Sequence, residues 1–446
     1  MAGLIALTLV GGATAVAVRL AGGGGEDPVA QAPTATPTPG VQPTPDPTDT
    51  AAPAPCEWDD GLLADDPACH EPRAVEFTIL GAGDVLIHMP VHHSATVDGV
   101  TDFTPLLAGV NEWVAGADLA ICHLEVPLIR DDQEATGFPL FGARRQLAFD
   151  LVEQGWDGCS FASNHTIDRG VEGMIHSMDT FDEAGLGHAG AGRTEIEADA
   201  PQLYKIERDG RVFTIAQIST TYGLNGLVLP ADMQWAVHMN NIDEIIDRAT
   251  RAREAGADMV FLSLHDGWEY HAVPSPQQQE IAYAMAQSGV IDFIFGHHAH
   301  VPQRMELLPG GVHGDGMWVA YGLGNMLSNQ FASTLERYGI PGAARTSQGL
   351  FAIATITAEP DGPPRVTNME WAAHTVCRDS GHRMHMLNDL LADPSRSQIP
   401  ASEVAYRNSL VRHVMEYPHE NRTTATERLT PPVPTGPPPV VVRRPQ

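Results

Sequence analysis

From residue 75 onward the chain repeats one unit: a short apolar run, a cluster of polar residues at its end, then a segment with helical signals. Short apolar runs without alternation are the pattern of strands buried on both faces, and strands alternating with helices build helix-covered, largely parallel sheets. The clearest run is residues 291–295 (IDFIF), expected to stop at Gly296 and followed by His297, His298 and His300. His298 and His300 form an H-x-H pair whose rings can converge on one centre just past the strand, and neutral imidazole is the commonest protein ligand for catalytic transition metals. A lone H-x-H would read as a solvent loop. Here other strand ends carry the remaining ligand types.

Residues 75–80 (VEFTIL) run into Gly81-Ala82-Gly83-Asp84, with His88 four positions on. Residues 119–122 (LAIC) end in His123-Leu124-Glu125, and residues 159–162 end in Ser163-Asn164-His165 ahead of a helix expected over Gly170–Ala184. A stripe at Ile242, Ile245, Ile246, Ala249 and Ala252 predicts a helix over residues 242–255, capped by Asn241 with Glu244. Residues 259–264 (MVFLSL) then deliver His265, and Ser275-Pro276 with Gln278 opens a further helix. A strand over residues 318–321 leads into Gly322-Leu323-Gly324-Asn325, while residues 350–357 (LFAIATIT) alternate and lack ligand-type tips, as a second sheet would.

Open α/β sheets place their chemistry beyond the carboxyl ends of the strands. The tips there are Asp84, Glu125, Asn164, His265, His298 and His300. Singly, Asp84 reads equally as a turn residue and Asn164 as a helix-approach cap. Together, these nitrogen and oxygen ligands without thiolate suit two divalent ions, Mn, Fe or Zn rather than Ca. Such a pair needs a bridging carboxylate, and ions about 3.5–4 Å apart activate a water for attack on phosphorus or carbon.

The rest of the chain sets the context. Residues 1–22 include an almost wholly apolar run over 2–18, read as a signal peptide or membrane anchor, and no Lys or Arg precedes it. Residues 23–70 are a Pro/Thr-rich linker with too few large apolar groups to fold. A folded domain over 71–377, an extension over 378–416 and a disordered Pro-rich tail over 417–446 complete the expected organisation, which places the domain outside the membrane. With 26 basic against 56 acidic residues the net charge is −30, which excludes nucleic acid as a partner. Cys56 and Cys69 flank an acidic segment where a disulfide fits, Cys122 and Cys159 are expected as buried thiols, and Cys377 is free or paired.

The ordered set GAGD (Gly81 to Asp84), HLE (His123 to Glu125), SNH (Ser163 to His165), HDGWEY (His265 to Tyr270), GHHAHVPQ (Gly296 to Gln303) and YGLGN (Tyr321 to Asn325) resembles the CapA-type poly-γ-glutamate capsule biosynthesis proteins. These belong to the calcineurin-like metallophosphoesterase superfamily. The resemblance covers residues 75–377 and implies an α/β fold, a four-layer α/β/β/α sandwich. It implies metal binding by Asp84, Glu125, Asn164, His265, His298 and His300, with His165 facing the leaving group. The superfamily's D-x-H opening is absent, so His88 replaces that ligand only if its loop curls back. Glu125 stands for the usual bridging aspartate, and His123 where the family more often has Asn. Glu269, four residues after His265, is a second proton-handling candidate and reads equally as a surface carboxylate.

Two classes of function follow. One is a metal-dependent hydrolase or transferase acting on a phosphoester or on the amides of an anionic capsule polymer. The other is a non-catalytic, membrane-anchored component that assembles or exports such a polymer.

Overall fold

The apolar run from Val75 forms the first strand, β1 (Val75–Leu86), followed by β2 (Leu119–Leu124), helix α1 (Gln146–Gln154), β3 (Gly158–Ser160), helix α2 (Gly170–Ala184) and β4 (Gly187–Ala189). Adjacent strands in the order β1, β2, β3, β4 are parallel. The computed structural model describes residues 73–335, 339–340, 342–416 and 425–446, so the N-terminal apolar segment, the linker and the Cys56–Cys69 pair lie outside the described residues.

A second series comprises β5 (Gln202–Arg208), β6 (Arg211–Thr221), α3 (Ile242–Glu254), β7 (Met259–His265), α4 (Pro276–Ser288), β8 (Phe293–His297), β9 (Met305–Leu308) and β10 (Met317–Ala320). In this sheet β6, β7, β8 and β10 are successive parallel neighbours, with β5 and β9 antiparallel at the flanks. The helices start where their caps place them. The Asn241 side chain accepts from the Glu244 N–H at 3.2 Å. Ser275 and Gln278 close a full capping box ahead of α4, with Pro276 in the first turn.

The chain then returns to the first sheet as β11 (Asn325–Ser328), β12 (Gln348–Ala358), β13 (Arg365–Cys377) and β14 (Arg383–Met386). The LFAIATIT run, expected in a second sheet, lies in β12 and pairs antiparallel with β1 from Val75↔Ala358 to Ala82↔Phe351. Its alternation does not mark a solvent face. Both faces of β12 are buried, and only Thr355 and Thr357 are partly exposed.

Side-chain alternation shows the layers. Phe77, Ile79, Leu119, Ile121, Leu350 and Ala352 of one sheet share a core with Phe213, Ile215, Met259, Phe261, Phe293 and Phe295 of the other. The intervening residues Leu80, Ala82, Ala120, Cys122 and Ile353 face outward onto Leu147 and Leu151 of α1 and Met174 and Met178 of α2. Beyond the second sheet Ile218, Val260, Leu262 and Ile294 meet Ile245 and Ala249 of α3 and Ile281 and Met285 of α4. Each large side chain so buried contributes roughly 1.5–3 kcal/mol relative to exposure. The fold is therefore the four-layer α/β/β/α sandwich.

Three expectations change. Residue 377 is no boundary, because β14 pairs with β13 and helix α5 (Ala401–Met415) adds Val404, Val411 and Val414 to the core that contains the inter-sheet residues. The described tail residues 425–446 are ordered, with β15 (Thr426–Glu427) on β13 and β16 (Val440–Val442) antiparallel to β5. Composition missed this because the tail is held by polar groups. Thr435 donates from N and Oγ1 to Asp118 Oδ1 at 2.7 and 3.0 Å, Arg208 donates to the Pro437 carbonyl at 3.0 Å, and Arg444 is buried against His188 Nδ1 at 2.7 Å. Proline also suits a sheet edge, where no N–H partner is needed. Finally, Cys122 and Cys159, expected as thiols, face each other in register across β2 and β3 with Cα atoms 4.4 Å apart and form a disulfide. Cys377 is free and buried.

Candidate metal centre

Two glycines shape the strand ends. At Gly83 a Cβ would lie 2.0 Å from the Gly324 carbonyl oxygen, the same atom that accepts the Asp84 N–H at 2.8 Å. This contact keeps GAGD inside β1, so Asp84 is a strand residue, level with His123 of β2 and Asn325 of β11. Gly296 does not end its strand. A Cβ there would lie 2.0 Å from the Tyr321 carbonyl oxygen, and β8 continues to His297. The chain turns only afterwards, through His298 at φ 83° and His300 at φ 57°. Left-handed backbone at a non-glycine residue costs on the order of 1–3 kcal/mol and clusters at functional sites.

Period-2 alternation decides which rings enter the layer between the sheets. His123 shares the face of Leu119 and Ile121, His265 that of Met259 and Phe261, and His297 that of Phe293 and Phe295. The rings of His123 and His297 stack at 4.0 Å. His123 Nδ1 is 2.7 Å from Ser160 Oγ, its Nε2 is 2.9 Å from His265 Nδ1, and His265 Nε2 is 2.8 Å from Asn164 Oδ1.

All six expected ligands thus come together, and two more join them. Asp84, His123 and His297 form one buried donor group, and Glu125, His298 and His300 form a second. His265 Nε2 stands 3.9 Å from Glu125 Oε1, and His300 lies between the groups, its Nδ1 3.0 Å from Asp84 Oδ2 and its Nε2 3.8 Å from Glu125 Oε1. His123 and His297 were not among the expected ligands. The signal that finds them is the inward side of the alternation.

Among the protein's own groups the charges are ill matched. Burial pushes His123 and His265 well below the usual imidazole range, and takes His298 down to about 3. Burial also acts to lower His300, but Glu125 and Asp84 outweigh it and hold the ring at about 10. Burial raises Glu125 well above the carboxylate range. For Asp84 burial works in the same direction, but contacts with His297 and His300 prevail and keep it well below that range. Both oxygens of Glu125, both ring nitrogens of His297 and His298 Nδ1 are buried without hydrogen-bond partners. Unsatisfied buried polar atoms are rare and costly. Gathered at one point, these fit a divalent cation.

The proton-handling candidates differ. His165 Nδ1 lies 2.7 Å from Asp168 Oδ2, which also accepts the Phe141 N–H at 2.8 Å, and the Phe141 ring packs edge-on against the imidazole. Glu269 is half-exposed at the rim, 3.9 Å from His300 Nε2. His88 does not join either donor group. Its Nδ1 is 3.0 Å from the Leu86 carbonyl and its ring is edge-on to Phe141. Tyr222 and Asn225, which no motif marked, also contact the site. Tyr222 packs on His298 at 4.5 Å, while Asn225 accepts from Asn164 Nδ2 at 3.0 Å and places its own amide nitrogen 3.2 Å from His165 Nδ1.

The family described as bacterial capsule synthesis protein PGA_cap matches residues 78–330, from within β1 to just past β11. The chain is 27% identical over 281 residues to the capsule biosynthesis protein CapA of Bacillus anthracis, covering 61% of this chain and 64% of that protein. It is 31% identical over 233 residues to the PGA biosynthesis protein CapA of Bacillus subtilis, covering 49% of this chain and 55% of that one. The matches thus span less than two thirds of either relative. Among solved structures, a 5'-nucleotidase precursor from Thermus thermophilus aligns with a TM-score of 0.42 at 11% identity, covering 76% of this chain and 59% of that one. Because the matched region is more than half of the chain and contains every residue of the two donor groups, the chain belongs to the bacterial capsule synthesis PGA_cap family.

Proposed function

We propose that the chain is an exported, CapA-like protein that acts in the synthesis or anchoring of an anionic capsule polymer, poly-γ-glutamate or a similar one, through metal-dependent hydrolase or transferase chemistry. Family membership supports the capsule role. The apolar run and Pro/Thr linker at the N-terminus support export, to the membrane surface or beyond. The observation that carries the chemistry is the set of unpartnered carboxylate oxygens and ring nitrogens buried at the joined strand ends. Asp84, His123 and His297 would hold one ion, and Glu125, His298 and His300 the other, with Asn164 and His265 alongside. Bound there, divalent Mn, Fe or Zn would activate a water for attack on phosphorus or carbon.

The chain's own residues do the rest. Asp168 fixes His165 through Nδ1, which leaves Nε2, 3.4 Å from the Asn225 amide nitrogen, as the nitrogen to exchange a proton with a leaving group. Tyr222 packs on His298 and Tyr270 on His300, with ring centroids 4.5 and 5.9 Å apart. The test is turnover of a generic phosphodiester and of a γ-linked glutamate oligomer by the metal-loaded chain, with a chelated control. Turnover that chelation abolishes is expected. Full metal with no turnover on either class would instead point to a non-catalytic assembly component.

A further inference from the structure

Behind the His165–Asp168 pair lies a cavity of about 280 Å³, lined by Arg130, Gln133, Asp168, Arg169, Glu172 and His176. It adjoins the start of α2, whose first turn carries no side-chain cap. The aliphatic stem of Arg169 is held by two glycines. A Cβ at Gly173 would lie 2.3 Å from Arg169 Cβ, and one at Gly142 would lie 3.2 Å from its Cδ. Among the described residues the Arg169 guanidinium has no hydrogen bond or ion pair, in a chain of net charge −30 whose Arg208, Arg253 and Arg304 are each paired with a carboxylate. Among the described residues the Arg130 side chain is engaged only by the exposed Asp132, at 3.5 Å. A free cation beside an uncapped helix start favours an anion.

The same lining also asks for a donor. Asp168 is buried, and while its Oδ2 holds His165 and the Phe141 N–H, its Oδ1 has no partner. Glu172 adds a second carboxylate to the lining. A simple dicarboxylate meets only half of these groups. An α-amino acid carries both signs on one carbon at a size the cavity admits.

We propose that this cavity binds an amino-acid unit, its carboxylate toward Arg169 and Arg130 and its nitrogen toward Asp168 and Glu172. The inference rests on the capsule reading above, because it makes the cavity the place where a terminal acidic residue of the polymer, or the free amino acid, is recognised. It also explains how a strongly acidic chain holds an acidic ligand. A unit bound to Asp168 touches the carboxylate that orients His165, so an occupied cavity is registered at the imidazole.

The experiment is calorimetric titration of the full chain with L- and D-glutamate, with glutarate, which lacks the amine, and with 4-aminobutyrate, which lacks the α-carboxylate. Saturable glutamate binding at least about tenfold tighter than either analogue is expected, since each analogue lacks one charge-assisted contact. Arg169→Gln and Arg130→Gln should each weaken it tenfold or more with the circular dichroism spectrum unchanged, and His298→Ala should leave it intact. Equal binding of glutarate, or glutamate binding untouched by both arginine variants, would overturn the proposal. So would no binding at millimolar glutamate. The two readings fail separately. Glutamate binding without metal or turnover sinks only the enzyme reading, and turnover without glutamate binding sinks only this one.

Discussion

His123 and His297 lie with their rings stacked, centroids 4.0 Å apart and planes within 14°, although one is the penultimate residue of a strand in the first sheet and the other ends a strand of the second. The stack is where the two sheets meet at the site. Asp84 completes this donor group. His123→Ala and His297→Ala should therefore each remove about one of two metal equivalents with the fold retained, as should His298→Ala and His300→Ala for the other group. Elemental analysis of the four variants checks this. Full metal in His123→Ala and His297→Ala would confine binding to the Glu125 group.

His165 is tied to Asp168 at 2.7 Å and belongs to neither donor group. His165→Asn should keep its metal and lose about 10²–10⁴-fold in turnover, the usual worth of general acid help. Asp168→Asn should lose less, since the imidazole remains and only its orientation suffers. Metal and rate must be read on the same preparation. A His165→Asn variant that loses metal would make the residue a ligand.

The parts of this site that could be read from the chain were those written as ordered tips. Asp84, Glu125, Asn164, His265, His298 and His300 sit in motifs that follow recognisable strands, and the structure brings them together. His297 carries no mark of its own, because the H-x-H spacing singles out His298 and His300 past the strand end, and His123 stands inside its strand. Placing His297 requires knowing that β8 runs through Gly296, which depends on the Tyr321 carbonyl just past the end of β10. The layers were legible from the strand and helix rhythm together with the motifs, but not the sheet that β12 joins, since a run buried on both faces carries no mark of its neighbour. The tail was misread for a related reason. Composition measures apolar content, whereas Thr435 and Arg444 are fixed by Asp118 and His188, far away in sequence.

The tail therefore predicts a stability effect. Deleting residues 430–446 removes β16 from the β5 edge and the Thr435 donors from buried Asp118. The loss should be on the order of 3 kcal/mol or more, because hydrogen bonds to charged groups contribute about 1.5–3 kcal/mol each. Thr435→Ala, which spares the backbone N–H, should cost less. Urea unfolding of the three proteins reads this directly. A truncation as stable as the full chain would show the docking to be without weight.

His374 predicts a pH effect. It is fully buried, neither ring nitrogen has a partner, and burial takes its pKa from 6.5 down to about 3. Below 6.5 the unfolded chain takes up a proton that the folded chain refuses, so stability falls with pH by about 1.4 kcal/mol per unit until the folded ring itself titrates. His238, taken down to about 3, adds to the same slope. In His374→Leu the stability difference between pH 7 and pH 5 should shrink by about 2 kcal/mol. An unchanged difference would mean that the ring is protonated in the folded state.

The claim that most needs a number is the dinuclear centre at Asp84, His123, His297, Glu125, His298 and His300. Elemental analysis of the folded full-length chain, expressed with Mn, Fe and Zn supplied in turn and then dialysed, measures it directly. A dinuclear centre predicts about two equivalents of a divalent ion, falling to about one or less in Glu125→Ala. A wild-type protein that retains less than about a fifth of an equivalent of every metal offered would contradict it, because the unpartnered atoms of the cluster would then have another explanation.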